Sequence, residues 1–265
     1  MIMITAWWGL GYAALALAAA LYAWAGVSQR RAARVTAHIL AGMAAMLLWG
    51  ALISRAVQGH GWPLTSAADR AVGIALLLLF LYVSEPLWSE RYLGGFAVTA
   101  TSVMLLSYGL GRYPQGMVTL PIVSAGTLVS SSLDLLGGSL LALAACLSLS
   151  SLIRLDHDPP NLLRLKLVPE PRDVASETLV RSALFCLAVS LAIDTWWLQK
   201  VGLGSTNDAQ QAGIAIAWMI YFVSLRLRSS ARWRGWPWTA VLAVGFICTL
   251  PILVQATWLE KALLI

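Results

Sequence analysis

Charge is what this chain has least of. Asp, Glu, Lys and Arg together make up 11% of its 265 residues, against 59% hydrophobic residues and a mean hydropathy of +0.76. A soluble globular domain carries roughly 25% charged residues, so a water-solvated exterior is excluded and the lipid bilayer must supply part of the solvent. Cysteine is scarce too. Cys146, Cys186 and Cys248 each sit inside an apolar run with no Cys-x-x-Cys spacing, the setting of buried, inert thiols rather than of thiol chemistry. Histidine is limited to His38, His60 and His157, spread along the chain so that no three-histidine metal site can assemble. No Walker-type glycine loop, no Gly-x-Ser-x-Gly and no His-Glu-x-x-His is present, so nothing in the motifs spells out an enzyme. The lack of an internal repeat removes support for an inverted-repeat transporter.

What the chain has in abundance is long apolar runs, at 5–26, 36–56, 70–88, 93–111, 128–153, 177–198, 209–227 and 238–258. A spanning helix needs about 20 such residues to cross a hydrocarbon core ~30 Å thick. The N-terminal run lacks the positive region of a secretory signal and is too long for one, so it reads as the first spanning helix. The fold expected is all-α: a polytopic transmembrane bundle of about eight spanning helices, one membrane domain over residues 1–265.

The basic residues orient it. Arg30, Arg31 and Arg34 fill the first joint, and Arg91 lies in the third. Arg154, Arg164, Lys166, Arg172 and Arg181 lie in or just after the fifth, and Arg226, Arg228, Arg232 and Arg234 fill the seventh. Only Arg55, Arg70, Arg112, Lys200 and Lys261 fall on the other side. Positive residues stay cytoplasmic, so the odd joints are inside, both termini are outside, and the expected location is a bacterial inner (plasma) membrane. The net charge of +6 therefore serves orientation and does not imply nucleic acid as a partner. Tryptophan is expected to anchor at headgroup level: Trp7, Trp8, Trp196, Trp197 and Trp258 at outer helix ends, Trp24, Trp88, Trp233, Trp236 and Trp238 at inner ends. Trp49 and Trp218 lie well inside their runs. Gly137, Gly138, Ala142 and Cys146 form a small-residue ridge for close helix approach. The joint 154–176, with Pro159, Pro160, Pro169 and Pro171, is expected to be extended. Its Leu162, Leu163, Leu165 and Leu167, interleaved with Arg164 and Lys166, suit anionic headgroups.

Asp134 is the one acid well inside a run. Intramembrane ionisable groups are costly and functional by default; the plainer alternative is an acid bonded to Ser130, Ser131 or Arg112. Asp194 and Glu85 fall near helix ends, where solvation is available. His157 belongs to a solvated joint between Asp156 and Asp158, and His38 begins the second helix on the cytoplasmic side.

Two stretches resemble the CcsA/CcmC-type cytochrome c biogenesis proteins. The joint Gly59-His60-Gly61-Trp62-Pro63-Leu64-Thr65-Ser66 is similar to that family's Gly-His-x-Pro-Leu-Ser loop, with one extra residue. Between Trp196 and Gly235, the residues Trp196, Gly202, Asp208, Trp218, Arg228, Trp233, Arg234 and Gly235 fall at matching positions without a gap. The family's loop presents haem to apocytochromes: indole faces stack on porphyrin and histidines ligate iron. The resemblance therefore implies haem as a cofactor, His60 as its outer ligand, and a platform of Trp62, Trp196, Trp197 and Asp208. A c-type cytochrome or its apoprotein, other membrane proteins and the lipid bilayer are the partners implied.

The chain also departs from the family. The other tryptophans of the loop are replaced, and the Pro-x-Glu after the aspartate reads Ala209-Gln210-Gln211. Ser124 and Arg226 stand where the family has histidines, and the C-terminal histidine has no counterpart in 258–265. One bis-histidine site on the outer face needs two histidines, and His60 is the one present there. Three functions follow as expectations: haem handling in c-type cytochrome assembly with most ligands missing, a non-catalytic subunit of a larger respiratory or photosynthetic membrane complex, and, behind both, a small-molecule transporter.

Overall fold

A computed structural model describes residues 2–28, 30–58, 67–84, 92–111, 125–155, 171–201, 208–228 and 236–253. Among them lie eight α-helices and no strand: α1 (Ile2–Ser28), α2 (Arg31–Gln58), α3 (Ala67–Ser84), α4 (Tyr92–Gly111), α5 (Ala125–Leu155), α6 (Pro171–Val201), α7 (Asp208–Leu227) and α8 (Trp236–Leu253). Each apolar run has become one helix, because a segment withdrawn from water satisfies its backbone donors and acceptors locally only by helical closure. Four helices hold segments long and apolar enough to cross a membrane: Trp7–Gly26, Arg31–Val57, Val129–Ser150 and Ala175–Trp196. Gly94–Leu110, Ala212–Leu227 and Trp236–Leu250 are shorter apolar segments.

Two helix starts depart from expectation: α2 begins at Arg31, so Arg31 and Arg34 of the first joint are helical, and α6 begins early as well. The joint read as extended through residue 176 ends earlier, since Pro171 opens α6. Proline is well placed there: the first helical position has no use for its missing N–H, and its fixed φ already suits the helix.

The contacts between helices fix an alternating up-and-down bundle. At one end, here called the lower, the end of α1 meets the start of α2 where the Tyr22 hydroxyl lies 3.1 Å from His38 Nδ1. Tyr82, near the end of α3, stands edge-on to both rings. Gly95, near the start of α4, closes the group: a Cβ there would sit 2.5 Å from the Tyr22 ring, so only glycine lets α1 and α4 approach this closely. At the same end Ser148 of α5 bonds Thr239 of α8 at 2.6 Å.

The middle and the upper end repeat the logic with different pairs. Ser139 of α5 donates to Leu135 O within its own helix (2.7 Å) and faces Ile74 O of α3 at 3.3 Å. Ser102 of α4 reaches Ala75 O of α3 at 3.4 Å, and Tyr12 of α1 meets Ser107 of α4 at 2.8 Å. Such interhelical bonds contribute about 0.6 kcal/mol each in a membrane, so they set register more than they set stability.

Burial is unequal, and composition explains it. The Ser-, Gly- and Ala-rich middle of α5 is buried almost all round, with Leu135, Leu141, Leu143 and Cys146 in the core; it packs against α3, α4, α6 and α8. Gly137 of the small-residue ridge meets α6, where a Cβ would press on Leu187 and the Ala183 carbonyl. Cys146 of the same ridge faces Thr101 of α4 at 3.6 Å. By contrast α2 turns Ile39, Met43, Met46 and Ile53 outward, and α7 turns out Ile216, Met219 and Ile220. Large apolar side chains outside with small and hydroxyl side chains inside is the distribution lipid allows and water forbids. Cys186 is buried as expected, whereas Cys248 is exposed on the surface of α8.

Candidate functional site

The upper end of the bundle holds a buried polar cluster built by α3, α5 and α6. Asp134 follows Ser131 by three residues and Ser130 by four, which sets both serines one turn from it on the same side of α5. Arg70 enters from the first turn of α3, and Ser190 and Asp194 come from one face of α6 near its end. Asp134 is 3% exposed and Arg70 7% exposed. Arg70 Nη2 donates to Ser131 Oγ at 3.3 Å. Ser190 Oγ donates to the Ser130 carbonyl at 3.1 Å and lies 3.0 Å from the Ser130 hydroxyl. Ser190 also lies beside the Asp134 carboxylate, and Ser130 beside that of Asp194.

Electrostatically the cluster turns on Arg70. Both Asp134 and Asp194 are close enough to attract it, but Asp134 Oδ1 and Arg70 Nε and Nη1 have no hydrogen-bond partner among the described residues. Guanidinium and carboxylate thus hold each other by field rather than by contact. Next to Arg70 in α3, the buried Asp69 pairs with Arg55 of α2 at 3.4 Å, so among the described side chains two arginines answer three aspartates at this end. The arrangement can stabilise a buried negative charge and can order small hydrogen-bonding molecules between the unmatched atoms.

These findings revise several sequence expectations. Asp134 takes Arg70 and Ser190 as neighbours, Ser131 bonds the arginine instead, and Arg112 lies outside the described residues. Asp194, read as solvated near a helix end, is partly buried and belongs to the cluster. Arg70, an orienting charge by sequence, is the cation of the cluster. The missed signal was available: Arg55 and Arg70 are the basic residues inside predicted runs on Asp134's side, and a lone acid in a span needs a base at its own depth.

At the lower end a second polar group ties α6 to α8 and to the end of α7. Trp238 is buried, its indole N–H donates to Ser176 Oγ at 3.2 Å, and Arg228 lies over its ring at 4.5 Å. Arg228 also reaches Glu177 at 3.6 Å, and Glu177 pairs with Arg181. Trp238 is therefore a core residue and not a headgroup anchor, and Arg228 folds inward because an indole face and a carboxylate await it. Trp8 is likewise buried, whereas Trp7, Trp24, Trp196 and Trp236 are exposed as anchors are. Trp218 donates to the Leu184 carbonyl of α6 at 3.0 Å and stacks on Phe222. His38, one turn or more inside α2, is occupied by Tyr22.

Of the residues expected to form a haem platform, Trp196 stands at the upper end of α6, 52% exposed. Trp197 lies in the last turns of α6, and Asp208 is the first residue of α7; their side chains lie outside the described residues. His60 and Trp62 lie outside the described residues altogether. Among the described residues, no group of three or more His, Cys, Asp or Glu side chains could hold a metal ion. Compared with known families and curated proteins, the chain matches no family model and no curated protein.

Proposed function

We propose that the chain is a multi-pass protein of the bacterial inner membrane, with eight spanning helices and both termini outside. In this reading it serves c-type cytochrome assembly in the manner of the CcsA-type proteins that it resembles. The segment from Trp196 to Asp208 forms an outer-face platform for haem on its way to an apocytochrome. His60 supplies one iron ligand, and Trp62, Trp196, Trp197 and Asp208 shape the surface around it. The second ligand comes from a partner protein, because this chain has one histidine on that face.

The observation that carries the proposal is the gapless correspondence from Trp196 to Gly235. The built root of that segment supports it: α6 carries Trp196 six residues beyond the Ser130–Ser190 tie, so the platform would rise from a helix anchored to α5. A stationary platform keeps a flat, rigid ligand oriented, which is what transfer to a second protein requires.

A second reading is favoured by the missing histidines: a subunit that has kept the fold but handles no haem, and that holds together a larger membrane complex. Purification from native membranes separates the two. Haem absorbance in the purified protein, lost in His60→Ala, is expected from the first reading. A colourless protein that co-migrates stoichiometrically with other subunits, from a strain whose deletion leaves cytochrome c levels normal, would replace it with the second.

A further inference from the structure

On the outward side of α2 and α3, a groove of about 570 Å³ runs between Gly42, Met46 and Trp49 on one helix and Phe80, Val83 and Ser84 on the other. Its size is that of a ligand site rather than a packing flaw. The groove exists because Gly42 has no side chain and because Met46 leans away, 77% exposed. A Cβ on Gly42 would already reach Val83 at 3.5 Å. The walls ask for no polar partner at Ser84, whose hydroxyl donates to its own helix at Leu81 O, 3.1 Å away. An occupant must therefore be a flexible apolar chain, and methionine walls adapt to such chains readily.

The charge that would hold its head lies on the same face. Steps of three and four residues carry the outward stripe of α2 from Arg31 through Val35 and Gly42 to Met46 and Trp49. Arg31 and Val35 are both exposed. The exposed Arg30 stacks beside Arg31 on Trp24 at 5.8 Å, which thickens the positive patch. Arg31 and Gly42 are eleven residues apart, about 16 Å along the helix. That is close to half of a ~30 Å hydrocarbon core, so an acyl chain whose headgroup rests at Arg31 enters the groove at Gly42 with its terminal part.

We infer that this groove binds one acyl chain of an anionic phospholipid of the cytoplasmic leaflet, with the phosphate held at Arg31. The inference rests on the membrane reading proposed above and adds a specific lipid site to it. A zwitterionic lipid presents the same tail with no net charge for the arginine to attract, so selectivity resides in the head and occupancy in the groove.

The test uses the full chain purified in detergent and offered equal amounts of phosphatidylglycerol and phosphatidylcholine, with bound lipid counted by native mass spectrometry. One phosphatidylglycerol is expected to be retained in preference. Arg31→Gln should cut that preference about fivefold, the effect of a single arginine at an anionic surface. Met46→Trp, which fills the groove from an exposed rim position, should abolish retention of the lipid. Gly42→Leu should do the same from the groove floor. Equal retention of both lipids by the wild type, or retention unchanged in folded Met46→Trp, would mean annular lipid only and overturn the inference while leaving the membrane reading intact. Extraction of the chain into buffer without detergent would overturn the membrane reading and the inference with it.

Discussion

Asp134 and Arg70 offer the sharpest test of how the bundle is held together. Replacing Asp134 by Leu leaves the Arg70 guanidinium buried beside α5 with its nearest compensating charge gone; Ser131 Oγ at 3.3 Å remains its one described hydrogen bond. Removing one partner of a buried charge pair costs about 3–5 kcal/mol. Asp194 still attracts Arg70 from α6, so the lower figure applies, about 3 kcal/mol. For a chain of this length that is a fall in midpoint temperature of about 6–12 °C. Arg70→Met should cost a similar amount, because it strands the carboxylate instead. The double variant Arg70→Met/Asp134→Leu removes both charges, and a buried pair replaced by apolar groups is close to neutral; it should recover most of the loss. The assay is the fraction of each purified variant that stays monodisperse in detergent after heating. Recovery in the double variant is the decisive quantity, since two unrelated packing defects would add. A double variant less stable than either single, or Asp134→Leu as stable as wild type, would refute the claim that the two groups compensate each other across α3 and α5.

Two further outcomes are expected. Trp238→Phe keeps the ring but removes the N–H donated to Ser176 and weakens the seat of Arg228; a loss of about 1–2 kcal/mol should appear in the same heating assay, and an unchanged midpoint would show that this contact group is ornamental. In a variant lacking the three native cysteines, Leu203→Cys and Ser230→Cys should label from opposite sides of intact membranes, and labelling from one side would overturn the proposed orientation.

The helices were legible in the sequence because the signal for them is one-dimensional: length and apolarity suffice, whichever way a side chain points. What faced what was not. Trp238 and Arg228 looked like interfacial residues because both sit at a run's edge; they are buried because the Ser176–Glu177 turn of α6 lies opposite, and no local pattern encodes that neighbour. Asp134 stood out as an acid in an apolar run, yet its counter-charge comes from Arg70, 64 positions earlier in the chain, and pairing across helices leaves no mark in spacing. Cys248 failed for the reverse reason: an apolar helix with lipid on one side gives a buried and an exposed cysteine the same flanking residues. The proposed platform of His60, Trp62, Trp196, Trp197 and Asp208 rests on resemblance alone, since nothing in apolar length or helical period points to those positions.

The central position of α5 has a consequence for synthesis. Two of its four neighbours, α3 and α4, precede it in the chain, so Arg70 is already waiting when Asp134 leaves the insertion machinery, and the costliest group meets its partner first. The bond between Ser148 and Thr239 forms last, because Thr239 arrives with the final helix. A chain cut short before α8 therefore lacks one of the four neighbours of its central helix and the Ser148–Thr239 bond with it, a mark by which quality control can recognise an unfinished copy.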